Sequence, residues 1–367
     1  MRPLEIYIHI PFCIRKCRYC DFLSAPSTIE ERQDYVTGLC RKIRSYGDLA
    51  EAYHVVTVFI GGGTPSVLEG AQILDIMDAV RGTFPVDAGA EISMEMNPGT
   101  ATKEKLRTIR HAGINRLSIG LQSTDDSELK MLGRIHTYED FLHTYEMARE
   151  TGFANVNVDL MSAIPFQSVD SWDATLIRTA ELGPEHISAY SLIIEEGTPF
   201  FDRYGNGKRA KELPTEEEER QMYMHTRTIL EEYGYHRYEI SNYARPGYEC
   251  RHNLGYWDRA EYLGIGTGAA SLLQGYRFTE GEEPVKLSEK EQMEEFMFLG
   301  LRKTEGVSRE AFCTYFNRSM ERVFGKVMTD MGQKGLLEIE EDAVRLTDKG
   351  MDISNYVMSA FLLGEEE

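Results

Sequence analysis

The sequence predicts an α/β protein built on a parallel sheet, and two observations carry that prediction. Six short β-rich runs alternate with longer stretches of helical periodicity through the first part of the chain, the pattern of consecutive β-then-α units. The chain is also long, 367 residues with 42% hydrophobic content, enough for a large core and for two or three domains. Such an alternation builds either an open doubly wound sheet or a barrel, complete or incomplete.

The β-rich runs are Leu4–Ile10, Val55–Ile60, Ala90–Met96, Ile114–Ile119, Asn155–Met161 and His186–Leu192. Between them, stretches such as Glu69–Thr83, Lys103–Ala112, Tyr138–Thr151 and Ser171–Leu182 place apolar residues at helical spacing. Glu216–Glu219 suits the first turn of a helix continuing to Tyr233, where carboxylates meet the positive end of the helix dipole. Beyond about Tyr233 the rhythm changes to a Gly/Tyr-rich region holding "YEISNYARPGYECRHNLGYW" and "YLGIGTGAAS". From Ser288 the chain reads as helices, a hairpin-like "GLLEIEEDAVRLTDKG" and a final helix, an order that resembles a winged helix.

Winged helices often bind DNA, but here 60 acidic residues face 40 basic ones, a net charge of −20. That balance favours a packing or interaction role for the module, and argues against affinity for nucleic acid or anionic membrane. No apolar run reaches the length of a membrane span. Met1–Leu4 leads straight into a strand-like segment with no signal peptide, so the expected location is the cytoplasm. Six cysteines, clustered three, one, one and one, do not form a disulfide framework in a chain of this size.

Three of those cysteines lie in "IHIPFCIRKCRYCDF": Cys13, Cys17 and Cys20, spaced C-x3-C-x2-C. On a helix they would share one face as a buried stripe. Pro11 before them, with Arg15, Lys16 and Arg18 between them, suits a loop better. A zinc ion could take the three thiolates with His9 or a distant residue as fourth ligand. The favoured reading is a [4Fe–4S] cluster with three thiolate ligands and one open iron, the basic residues offsetting its negative charge. "CIRKCRYC" resembles the signature of radical S-adenosylmethionine (SAM) proteins. The resemblance implies that the methionine end of SAM fills the open iron position, where a fourth cysteine would block it. It also implies that an electron from the cluster cleaves SAM to methionine and a 5′-deoxyadenosyl radical.

In a parallel β/α barrel, ligand residues gather at the carboxyl ends of strands. "FIGGGTPS" ends the second run, where Gly61, Gly62 and Gly63 let the backbone approach a ligand. A tight turn or phosphate loop would read the same, though neither GxGxxG nor a Walker pattern is present. In "EISMEMNP", Glu91, Ser93 and Glu95 share one face, with Glu95 nearest the mouth. "LSIGLQS" places Gln122 after the fourth run and "NVNVDLMSAIP" places Asp159 at the fifth. Each alone reads as a solvated or structural polar residue; together they make a polar mouth.

These motifs, with "YIHIPFC", "RLSIGLQS" and "LGRIH", are similar in order and spacing to the oxygen-independent coproporphyrinogen dehydrogenase and HemW superfamily, over about Leu4 to Ser271. The resemblance implies an incomplete (β/α)6 radical SAM barrel with a C-terminal, mainly helical, winged-helix-like domain. It divides the chain into a barrel at 1–235, a connecting region at 236–285 and a HemN-like helical domain at 286–367. It also assigns SAM contacts to Tyr7, Gly62, Gly63, Thr64, Glu95, Gln122, Arg134 and Asp159.

Three departures separate the chain from the dehydrogenase. Phe22 stands where that enzyme has a further cysteine, and only three residues precede the first run, where the enzyme has a long extension. "HNLGYW", His252 to Trp257, matches the HNxxYW motif typical of the HemW branch. The resemblance thus implies a heme chaperone that passes heme to an acceptor protein, served by a reducing electron donor, with SAM cleavage open and no coproporphyrinogen oxidation. The alternatives are a porphyrinogen-oxidising radical SAM enzyme and a zinc-stabilised interaction protein. In HNLGYW an imidazole can ligate heme iron while Tyr256 and Trp257 offer flat apolar surface. A packed aromatic turn anchored by His252 also satisfies the residues, and the family match tips the expectation to heme contact at His252. Cys250 could share its face, although no CxxCH motif exists. Cys40 and Cys313 sit in helical patterns as core residues.

Overall fold

The six β-rich runs form six parallel strands in the computed structural model, which describes residues 1–364. They are β1 (Arg2–Ile10), β2 (Tyr53–Gly62), β3 (Val86–Met96), β4 (Arg116–Gln122), β5 (Val156–Ser162) and β6 (His186–Ser191), each paired with the next. Helices Ile29–Arg44, Gly70–Thr83, Lys103–His111, Tyr138–Glu150 and Val169–Glu181 cross between them. The β4-to-β5 crossover holds a further helix, Asp126–Leu132, too short for periodicity to reveal. Its ends were nonetheless written in the sequence: the Asp125 side chain accepts from Ser127 N and Glu128 N, and Gly133 closes it at φ 80°.

Period-two alternation sorts the strand residues into two faces. In β1, Leu4, Ile6, Ile8 and Ile10 are fully buried in the main core, with Val36, Leu39 and Ile43 of the first crossover helix. The other face, Glu5, Tyr7 and His9, turns inward, as do Glu91, Ser93 and Glu95 of β3 and Asn157 and Asp159 of β5. Closed eight-stranded β/α barrels fill their interior largely with branched aliphatic side chains. Here the interior is polar.

The sheet does not close. β7 (His236–Arg237) and β8 (Asn242–Ala244) add antiparallel strands beyond β6. On the opposite margin β9 (Tyr262–Ile265) runs parallel to β1, followed by antiparallel β10 (Ala270–Leu273), β11 (Tyr276–Thr279) and β12 (Val285–Lys286). The segment 236–286 therefore supplies both margins of the sheet. Between them, helix Arg251–Trp257 packs against the barrel interior. Gly255 makes that approach possible, because an added Cβ would overlap the buried Glu5 carboxyl.

After Ser288, which caps helix Glu289–Gly300, come helices Arg309–Phe316 and Met320–Gln333. β13 (Val307–Ser308), β14 (Leu337–Ile339) and β15 (Ala343–Leu346) form a small antiparallel sheet. Met297, Phe312, Phe324, Val344 and Phe361 centre a second core there, but Cys313, expected in the core, is exposed on the outer face of helix Arg309–Phe316, whereas Cys40 is buried in the main core. The single final helix expected from the sequence is two short ones, Asp348–Asp352 and Ser354–Ser359, interrupted at Ile353 with φ −119° and ψ 39°. Among the described residues no helix is long and apolar enough to cross a membrane.

Candidate functional site at the barrel mouth

Cys13, Cys17 and Cys20 stand on the loop that leaves β1, not on a helix, so the buried-stripe reading falls. Backbone bonds fix the loop at both sides. Cys13 N donates to Ala25 O at 3.1 Å, Arg18 N to Leu132 O at 3.0 Å, and Phe200 N to Arg18 O at 3.0 Å. The loop's cations are spent on carbonyls: Arg15 donates to Gly133 O at 2.8 Å, Lys16 to Phe22 O at 3.0 Å and Arg18 to Met131 O at 3.3 Å. All three thiols are free and line one cavity of about 460 Å³ at the carboxyl ends of the strands. Burial pushes the Cys13 and Cys20 thiols up.

The opposite wall is built from strand ends. Gly62, at φ +113°, donates its N–H to Glu95 Oε2 at 3.0 Å. At Gly63 an added Cβ would sit 2.5 Å from the Phe12 carbonyl oxygen, so glycine is what lets the cysteine loop lie against this turn. Arg134 Nη2 donates to Asn97 Oδ1 at 2.6 Å and to Gly120 O at 2.7 Å, while Nη1 lies 3.6 Å from Cys17 Sγ. Asn97 in turn donates to Thr64 Oγ1 at 2.8 Å. Sequence reasoning missed Asn97; its signal was its place directly after the strand in "EISMEMNP". Asp159 accepts from Ser118 Oγ at 3.0 Å and Asn157 Nδ2 at 2.7 Å. Burial, then the neighbouring Asp159, pushes the Glu95 carboxyl up to about 8.

The cavity thus brings together the three cysteines with Gly62, Gly63, Thr64, Glu95, Gln122, Arg134 and Asp159. Gln122 takes φ 75° where the β4–β5 register shifts. Tyr7 and His252 lie elsewhere, on a second cavity of about 200 Å³ inside the barrel, which shares Glu95, Ser118, Asp159 and Tyr190 with the first. Tyr7 OH bonds His9 Nδ1 at 3.0 Å.

The donor set fits a three-thiolate cluster. Among the described residues no three His, Cys, Asp or Glu gather about a single point, as four-ligand zinc requires, whereas cluster thiolates each hold a different iron. His9, the proposed fourth zinc ligand, has its other ring nitrogen on Leu23 O at 3.0 Å.

His252 is 1% exposed and stacks on Phe59 with ring centroids 5.2 Å apart. Its Nδ1 bonds Thr57 Oγ1 at 2.7 Å and its Nε2 bonds Tyr256 OH at 3.1 Å. Burial, then Arg116, drives its pKa down to about 3. As folded, neither ring nitrogen is free for a heme iron, and the adjoining cavity is below the roughly 300 Å³ at which pockets for drug-sized ligands begin. Tyr256 packs edge-on against Tyr262, and Arg302 lies 4.3 Å over the Trp257 ring. Cys250 is fully buried with its thiol 3.5 Å from Glu91 Oε1 and pushed up to about 12. The geometry is that of a packed aromatic turn anchored by His252.

Residues 7–177 match the model of the radical SAM superfamily, and residues 287–353 match the HemN C-terminal domain. The chain is similar to "Heme chaperone HemW" of Bacillus subtilis, 38% identical across 97% of this chain and 98% of the relative. It is 35% identical to the protein of that name from Escherichia coli, across 98% of each. Among solved structures it resembles coproporphyrinogen III oxidase (HemN) from Escherichia coli, with a TM-score of 0.85 at 24% identity, covering 98% of this chain and 90% of that one. That likeness establishes the incomplete barrel with its helical C-terminal region.

Two predictions follow from the packing. Gly63→Ala displaces the Phe12 carbonyl and the cysteine loop, so iron and sulfide bound per chain after anaerobic reconstitution fall below wild type. Gly82→Ala, where nothing lies within 4 Å of the added Cβ, leaves both unchanged. The second concerns His252, which titrates near 6.5 when unfolded but near 3 when folded. Between those values the unfolded chain binds the extra proton, so this stability is present above about pH 6.5 and lost as pH falls. In urea unfolding between pH 6.5 and 5, His252→Asn should show a slope shallower by up to about 1.4 kcal/mol per pH unit. An unchanged slope would contradict a buried neutral imidazole.

Proposed function

Because the chain belongs to the HemW heme chaperone family, we propose that it is a radical SAM protein that binds heme and delivers it to an acceptor protein. The observation that carries this reading is the mouth cavity, where three free thiols on one loop face a wall of strand-end polar groups. Cys13, Cys17 and Cys20 would hold a [4Fe–4S] cluster, and Gly62, Gly63, Thr64, Glu95, Gln122, Arg134 and Asp159 would surround SAM. When bound, the cluster supplies a low-potential electron and an iron position open to SAM. The protein's own part is positional: Gly63 seats the loop, and Asn97 ties Arg134 to Thr64.

The mouth surface also suits heme. Ile14, Phe22, Leu23 and Ile193 are each more than half exposed around it, beside Arg15, Lys16 and Arg18. Flat apolar surface flanked by cations matches a porphyrin carrying two carboxylates. Phe22 lines the cavity where the dehydrogenase has a cysteine, which favours transfer over porphyrinogen oxidation. The electron donor is a reducing partner acting at this same mouth, and the cytoplasm is the setting consistent with six unpaired cysteines.

Heme titration set beside a coproporphyrinogen III turnover assay tests the reading. Saturable heme binding without turnover is expected; robust anaerobic turnover would falsify the chaperone assignment. In reconstituted protein, Cys13→Ala, Cys17→Ala or Cys20→Ala should abolish the cluster absorption while Cys40→Ala and Cys313→Ala retain it. For His252 to ligate heme, the helix it sits on must open. A folded His252→Ala protein with the wild-type Soret spectrum would remove that residue from ligation.

A further inference from the structure

Arg116 leads β4 on its inward face and is 2% exposed. Its guanidinium lines the interior cavity of about 200 Å³. Among the described residues it makes no side-chain hydrogen bond or ion pair, and its Nε is a buried donor without a partner. Glu91 and Asp159 favour its charge through space, but a buried guanidinium without hydrogen bonds leaves its donors desolvated with no partner to replace water.

The nearby carboxylates are already committed. Glu91 accepts from Cys250 Sγ, His252 N and Arg251 N. Both Asp159 oxygens are taken by Ser118 and Asn157. The His252 imidazole is engaged at both nitrogens. The Asn253 amide, from the second residue of HNLGYW, also lines this cavity without a partner in the fold.

We propose that the interior cavity is a carboxylate-binding pocket, with the Arg116 guanidinium as its cationic fork and the Asn253 amide as a second donor. A planar carboxylate takes two parallel N–H bonds from guanidinium and leaves a lone pair for an amide. The cavity is large enough for a small organic acid and too small for a porphyrin ring. Glu95 and Asp159 stand on the partition toward the mouth. Burial pushes both carboxyls up, which lessens the repulsion an anion meets at the partition. The carboxylate comes from one of two sources, a free small acid or a propionate arm of heme reaching inward from the mouth. The second source rests on the heme-binding reading above.

Two titrations of the whole chain separate these sources. In calorimetric titration with sodium formate at constant ionic strength, wild type binds saturably and Arg116→Gln binds at least about tenfold more weakly. Asn253→Ala shows a smaller loss, and it carries the test if Arg116→Gln does not fold by circular dichroism. In the other arm, heme is compared with heme dimethyl ester, which keeps the ring and lacks free carboxylates. Weaker binding of the ester to wild type, with the difference abolished in Arg116→Gln, assigns the pocket to a propionate. Formate binding with no ester effect assigns it to a free acid. No formate binding and no Arg116-dependent ester effect in folded protein overturn the pocket. If wild type binds neither heme nor its ester, the chaperone reading fails, and the formate arm alone decides the pocket.

Discussion

Everything in this fold depends on how the barrel satisfies a polar inner face. The same period-two alternation that buries Leu4, Ile6, Ile8 and Ile10 in the main core sends Glu5, Tyr7 and His9 inward. A barrel that filled itself with aliphatic side chains would need no plug. This one meets several of its buried polar groups with hydrogen bonds from a helix that follows all six parallel strands in the chain. Glu91 accepts the first backbone N–H groups of helix Arg251–Trp257, and Thr57 holds the His252 ring. A carboxylate at a helix start is electrostatically favoured, so charge and hydrogen bonding place the plug together.

The mouth obeys a different constraint. Parallel strands deliver their carboxyl ends to one rim, so residues far apart in sequence converge there without any long-range pairing of their own. What must be arranged locally is the loop carrying the thiols. It is pinned by backbone bonds to Ala25, Leu132 and Phe200 rather than by ion pairs, which leaves its apolar side chains facing outward.

The strands, most crossovers and the thiol loop were legible in the sequence because periodicity, Pro11 and the C-x3-C-x2-C spacing are local signals. The seven-residue helix Asp126–Leu132 was not, since two turns hold too few apolar positions to show a period. The break at Ile353 was invisible for the same reason. HNLGYW shows the deeper limit. Its residue types suit a heme contact and a packed turn equally, and only tertiary placement decides which faces its histidine meets. Asn97 was overlooked because a lone amide after a strand has no pattern; its role exists only in the company of Thr64 and Arg134.

The two cavities share a wall, and that wall lies close to the thiol loop. Glu95 lines both, and its Oε2 holds the Gly62 N–H. Gly62 sits at φ +113°, a conformation glycine tolerates and other residues rarely adopt. The next residue, Gly63, lies against the Phe12 carbonyl, one position before Cys13. The Glu95 carboxyl thus stands two residues, by bond and contact, from the loop bearing all three thiols, and the interior of the barrel meets the mouth at the partition that Glu95 shares with Asp159.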